Sequence, residues 1–198
     1  MTSDIAVARL KAAAVAVSLI GLSLVPGSPA VNAKAPSRLV QQRPARTPDV
    51  YFAPTPQPVA DAMLRLARVT ADDVVYDLGS GDGRIAILAA QKYGSRAVGI
   101  ELDPRLVELS RQVAREGGVA DRAIFVEGDM FTADISSATV VTLYLSARLN
   151  LDLEAKLRRE LRPGTRIVSH QFRIGSWTPI ETVRVDNAEL FLWTVPVR

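Results

Sequence analysis

From Pro56 to Ser169 helical and strand patterns alternate along the chain, and this alternation restricts the possible folds more than any other feature. Five short apolar runs read as strands: Val74-Val75-Tyr76, Ala97-Val98-Gly99-Ile100, Ala123-Ile124-Phe125-Val126, the run from Val140 to Leu145, and Arg166-Ile167-Val168-Ser169. Helical patterns stand among them. Val59, Met63 and Leu66 share one face, Ile85 to Ala90 is rich in alanine and leucine and ends near Gly94, and Leu149, Leu153, Leu157 and Leu161 repeat every four residues up to Pro163-Gly164. Asp103-Pro104 supplies an N-cap and a first-turn proline for a helix carrying Leu106, Val107, Ser110, Val113 and Ala114 on one face, with Gly117 as its stop. Strands joined through helices need right-handed parallel crossovers, so an α/β doubly wound sheet is predicted. At the C-terminus Thr182 to Val185 and Leu190 to Val195 are joined only by a short turn at Asp186-Asn187, a hairpin that adds antiparallel pairing to a mostly parallel, seven-stranded sheet.

The chain has 198 residues, enough for one domain with a full core. Residues 1–33 read as an address: Arg9 and Lys11 precede an uncharged run from Ala12 to Val25, followed by Pro26-Gly27-Ser28 and the small-residue sequence Val31-Asn32-Ala33. This layout predicts a signal peptide, hence an exported or periplasmic protein, or an N-terminal membrane anchor. In the anchored alternative the domain faces the cytoplasm, because Lys34, Arg38, Arg43 and Arg46 outnumber the cations before the apolar run. Residues 34–50, with Pro36, Pro44, Pro48 and several arginines, read as a linker, leaving 51–198 as the folded domain.

Composition removes whole classes of chemistry. Without cysteine there is no thiolate nucleophile, disulfide or thiolate metal site, and a single histidine, His170, rules out a metal centre built on several imidazoles; no metal is expected. The net charge is +3, but the basic residues are spread along the chain and interleaved with acids, so no nucleic-acid partner is expected.

In a doubly wound sheet ligands bind at the carboxyl ends of the strands near the switch in strand order. The first strand ends there in Asp77, followed by the turn Gly79-Ser80-Gly81-Asp82-Gly83. A dinucleotide fingerprint needs glycine at its first, third and sixth positions, whereas Arg84 occupies the sixth here. Asp77 also suits a cationic ligand better than a pyrophosphate, which it would repel. Glu101 ends the second strand, 22 residues past Gly79, where a sugar-binding acid is expected, and Asp129 follows the third.

The sequence Asp77-Leu-Gly-Ser-Gly-Asp-Gly83 resembles the first motif of class I, seven-strand methyltransferases, and the resemblance extends over nearly the whole region from Tyr51 onward. It implies a Rossmann-like fold and S-adenosyl-L-methionine as cofactor. Asp77 with the backbone from Gly79 through Ser80, Gly81 and Asp82 to Gly83 would hold the methionine part, Glu101 both ribose hydroxyls, and Asp129 with Met130 the adenine. A narrower resemblance rests on Tyr51-Phe-Ala-Pro-Thr-Pro56, the turn from Asp77 to Arg84, and Arg166-Ile-Val-Ser-His170. These segments are similar to the mitochondrial protein-lysine methyltransferases that modify the ATP synthase c-subunit and the adenine nucleotide translocase, and to a broad-specificity archaeal lysine methyltransferase. The resemblance makes Tyr51, Thr55 and Pro56 candidate lid residues over the cofactor.

Methyl transfer to a lysine needs a neutral amine, which an apolar, aromatic-lined channel favours by desolvation. Tyr144, at the end of the fourth strand, is the candidate catalytic wall; its competing role is packing on the following leucine-rich helix. His170 is open to two readings, a general base or a hydrogen-bonded strand residue. The acceptor expected is a protein lysine, with a small molecule on the same fold, or a non-catalytic cofactor-binding module, as alternatives. The N-terminal segment adds membrane association, and oligomeric state is left open.

Overall fold

A computed structural model describes residues 53–197. The elements run α1 (Gln57–Leu66), β1 (Val74–Leu78), α2 (Arg84–Tyr93), β2 (Arg96–Glu101), α3 (Pro104–Glu116), β3 (Ala123–Glu127), β4 (Val140–Leu143), α4 (Ala147–Glu160), β5 (Arg166–His170), β6 (Glu181–Val185) and β7 (Ala188–Thr194). The strands form one seven-stranded sheet in the order β3-β2-β1-β4-β5-β7-β6. All neighbours from β3 to β5 are parallel, and β7 is antiparallel to both β5 and β6. Strand order reverses between β1 and β4, so the fold opens a crevice at the carboxyl ends of these two strands. The doubly wound, mostly parallel architecture with a C-terminal hairpin is present as the sequence predicts.

Two differences from that reading have physical causes. The crossover from β3 to β4 contains no helix; residues 128–139 form turns anchored by the buried Ile135 and Ala138. Lys156 on α4 holds this segment down, its Nζ donating to the Ala133 carbonyl at 2.6 Å and to Glu160 at 2.5 Å. Replacing Lys156 by methionine keeps the packing stem but leaves the Ala133 carbonyl without its donor. We expect a loss of about 1–3 kcal/mol in urea unfolding, with an unchanged m value. The second difference is that the hairpin does not simply extend the edge: β7 inserts beside β5, and β6 becomes the outer strand. Leu190, Phe191, Leu192 and Trp193 are all buried, as a strand covered on both faces requires, whereas no residue of β6 is.

The sheet separates two cores. On one face Val75, Val140, Val168, Leu190 and Leu192 pack under α1, α2 and α3. On the other, Leu78, Val141, Leu143, Ile167, Phe191 and Trp193 pack under Leu149, Leu153 and Leu157 of α4 and the 128–139 crossover.

The expectation of an exported, periplasmic or membrane-anchored protein is corrected to what the described residues show. Among the described residues no helix is long and apolar enough to cross a membrane. The longest, α4, has 14 residues, about 21 Å at 1.5 Å per residue, short of a bilayer core of about 30 Å. Residues 1–33 and 34–50, on which that expectation and the linker reading rested, lie outside the described residues.

Candidate functional site

At the crevice between the carboxyl ends of β1 and β4 lies a cavity of about 470 Å³, within the range of small-molecule sites. The first strand delivers Asp77 to its floor, where the side chain is only 3% exposed. Burial pushes the Asp77 carboxyl up to about 7, and the charges of Glu101 and Asp82 push the same way. A hydrogen bond donated by Thr142 Oγ1 at 2.7 Å offsets part of this.

The glycine-rich turn follows. Its backbone N–H groups are largely spent inside the protein: those of Gly79 and Ser80 both donate to the Ile100 carbonyl, that of Gly83 to the Ser80 carbonyl, and that of Gly81 to Glu101 Oε2 at 2.9 Å. A pyrophosphate cradle needs such groups free. The turn therefore presents carboxylates and not a nest of donors. Gly79, Gly81 and Gly83 all have positive φ. Gly83 does not line the cavity; it caps α2 from below, where a Cβ would stand 2.6 Å from the Phe125 ring. Gly79, Ser80, Gly81 and Asp82 do line it, while Ser80 Oγ turns inward against Gly99 of β2, buried and without a hydrogen-bond partner.

The remaining acids arrive from the next two strand ends. Glu101 is held by its own loop, with Oε1 accepting from the N–H groups of Leu102 at 2.8 Å and Asp103 at 2.9 Å. Asp129 Oδ1 accepts from the Phe131 N–H at 2.9 Å, which shapes the start of the crossover and sets Met130 against the cavity. Thus Asp77, Glu101, Asp129 and Met130 are brought together at one opening. Tyr51 lies outside the described residues, while Thr55 is buried and borders the same cavity.

Tyr144 stands on the β4 side of the cavity, past the end of the strand. Its ring stacks on that of His170, with centroids 3.9 Å apart and an interplanar angle of 26°. His170 is the last residue of β5 and does not border the cavity; burial lowers its pKa, which favours the neutral ring.

Sequence reasoning missed the arginines of the rim. Arg84 Nε and Nη2 donate to the Asp82 carboxylate, the Nη2 contact at 2.5 Å, while Nη1 reaches the Thr55 carbonyl at 3.0 Å. Arg105 pairs with Asp103 at 2.7 Å. Only the two-residue spacing of each acid and arginine could have signalled these pairs. Five carboxylates, Asp77, Asp82, Glu101, Asp103 and Asp129, thus face the cavity, and both arginines bordering it are engaged with carboxylates.

Comparison with known proteins returns methyltransferases whose names differ in the acceptor. The ANTKMT methyltransferase domain model matches residues 77–181. A protein-lysine N-methyltransferase of Saccharolobus islandicus is 44% identical over 144 residues, which cover 72% of this chain and 89% of that protein. The human ATP synthase C-subunit lysine N-methyltransferase is 36% identical over 147 residues, but the chain spans only 62% of its length. A crystal structure of an RNA methyltransferase from Salinibacter ruber with S-adenosyl-L-homocysteine has a TM-score of 0.73 and 53% identity, covering 74% of this chain and 95% of that one.

Proposed function

This chain belongs to the ANTKMT methyltransferase domain family and is an S-adenosylmethionine-dependent methyltransferase, and from that premise we propose that its acceptor is the side-chain amine of a protein lysine. The observation that carries this reading is the charge of the cavity. Five carboxylates line it, and its two arginines are each tied to one of them, so the site favours cations and offers no unpaired guanidinium to a phosphate. Both a sulfonium cofactor with an ammonium group and an incoming lysine fit that field. The names of the archaeal and human relatives point the same way, while that of the Salinibacter protein points to RNA.

When bound, S-adenosylmethionine supplies a methyl group on a positively charged sulfur. The residues around it then have distinct tasks. Asp77, ionised, would pair with the amino group, Glu101 would accept from the ribose hydroxyls, and Asp129 with Met130 would border the adenine. Tyr144 forms the aromatic wall of the acceptor side, where it holds the amine against its ring face and excludes water. The acceptor nitrogen would use its lone pair to form the new C–N bond as the C–S bond breaks, so the amine would first have to lose a proton to solvent. Desolvation beside an aromatic ring favours that loss.

The test is methyl transfer from radiolabelled cofactor to core histones, a lysine-rich probe, with ribosomal RNA offered in parallel. Methyllysine in the acid hydrolysate is the expected product, and label confined to RNA would overturn the lysine assignment. Tyr144→Leu, which removes the ring face that holds the amine, should leave the cofactor bound and lower turnover at least about tenfold, roughly 1.4 kcal/mol of barrier. An unaltered turnover would return Tyr144 to a packing role.

A further inference from the structure

We propose that Thr55, His170 and Tyr144 form a latch that joins the segment bordering the cofactor cavity to the aromatic wall of its acceptor side, with His170 as the positioning residue for both. Thr55 Oγ1 and His170 Nδ1 lie 3.4 Å apart, both in buried side chains, although 115 positions separate them in sequence. On its other side Thr55 is held by the Arg84 guanidinium through its carbonyl, and Arg84 is locked to Asp82 of the glycine-rich turn. Thr55 therefore receives one contact from Arg84 at the start of α2 and a second from the residue on which Tyr144 stacks.

The three partners differ in how firmly the backbone fixes them. His170 belongs to β5, whose ladder pairs it with Leu190 of β7, so its Cα is set by the sheet. Thr55 precedes α1 and Tyr144 follows β4, both in irregular backbone. His170 is thus the post against which two less constrained groups are placed. At 3.4 Å the Thr55 to His170 contact is at the long limit of a hydrogen bond and has room to tighten. Thr55 and Tyr144 both border the cavity, while His170 does not. A ligand filling the cavity meets Thr55 and Tyr144, each of which contacts the imidazole. Placing Thr55 beside the donor and Tyr144 beside the acceptor become one coupled event, and by linkage each favours the other. This inference rests on the cavity being the cofactor site.

His170 is the only histidine of the chain, so its ring protons can be followed without assignment in the full-length protein labelled with 13C-histidine. Stacking on Tyr144 should displace these signals upfield, and Tyr144→Leu should abolish the displacement. Addition of saturating S-adenosyl-L-homocysteine, with binding verified by calorimetry, should move them further. In Thr55→Val the ligand should still bind but the histidine response should fall by more than half, and Thr55→Ser should restore it. Histidine signals that stay unmoved in the ligand-bound wild-type protein, or a full response in Thr55→Val, overturn the latch alone. Absence of any binding heat overturns the cofactor site and the latch with it.

Discussion

Asp77→Asn is expected to abolish useful cofactor binding and, at the same time, to make the ligand-free domain more stable at pH 8. The two effects have one origin. Asp77 is 3% exposed, and burial pushes its carboxyl up to about 7, so ionising it in the empty protein is costly. Its pKa in the unfolded chain is near the ordinary 3.8. Between about pH 4 and 7 the folded state holds a proton that the unfolded state has released. Stability therefore falls as pH rises through that window and stays low above it, by about 1.4 kcal/mol for each unit of displacement. Asparagine keeps the size and the hydrogen bond to Thr142 but cannot ionise, so the gain over wild type should grow from pH 4 to 7. Urea unfolding of the two proteins at pH 5 and 8 measures it, and equal stability at pH 8 would contradict the argument. Binding moves oppositely. Pairing a buried carboxylate with an ammonium group and then removing one partner costs about 3 kcal/mol or more, a factor of at least about a hundred in affinity. For wild type the same reasoning gives weaker cofactor binding at pH 6 than at pH 8, with proton release on binding below pH 7. Calorimetry in buffers of different ionisation enthalpy reads that release.

On the proposed assignment this trade gives the carboxylate of the first strand its use: the empty fold bears the cost of ionising it, and a cationic ligand would remove that cost. Such a group can be found in the sequence because its position follows from the strand pattern. Val74-Val75-Tyr76 marks a buried parallel strand, and the residue that ends such a strand beside a glycine turn lies at the switch point. The same logic locates Glu101 and Asp129 at the next two strand ends. What could not be read is what depends on side chains meeting across the sheet. The contact between Thr55 and His170 joins the chain before α1 to the end of β5, and nothing in either segment's local pattern encodes it. The Arg84 fork was in view as a residue but not as a contact, because its carbonyl partner, Thr55, is 29 positions away. The inner place of β7, by contrast, was available: Leu190 to Trp193 is an unbroken apolar run, the mark of a strand covered on both faces, while Glu181 to Val185 alternates with charge. The helix-free crossover after β3 was not legible in the same way, because Phe131, Ile135 and Ala138 stand at helical spacing and only the turn-favouring Gly128, Asp129, Asp134, Ser136 and Ser137 speak against a helix.

Glu101→Gln should prove nearly as damaging to cofactor binding as the change at Asp77, for a different reason. The Glu101 carboxylate accepts three backbone N–H groups, two on Oε1 from Leu102 and Asp103 and one on Oε2 from Gly81. Every one of these neighbours is a donor, so both oxygens must be acceptors. Glutamine replaces one oxygen by an NH₂ group, which must face either the Gly81 N–H or the pair from Leu102 and Asp103. Either orientation sets donor against donor in a partly buried site, at about 1–3 kcal/mol, and the loop between β2 and α3 must shift to relieve it. That shift moves the edge of the cavity that carries Leu102, Asp103 and Arg105, as well as Gly81 in the glycine-rich turn. The loss of the charged acceptor for the ribose hydroxyls adds about 1.5–3 kcal/mol. Together these predict at least about a hundredfold weaker binding of S-adenosylmethionine by calorimetry. Unlike Asp77→Asn, no gain in ligand-free stability should accompany it, because the substitution introduces unsatisfied donors and removes satisfied acceptors. A Glu101→Gln protein that binds the cofactor within threefold of wild type would show that the carboxylate serves the loop alone, and the ribose would then have to be held elsewhere in the cavity.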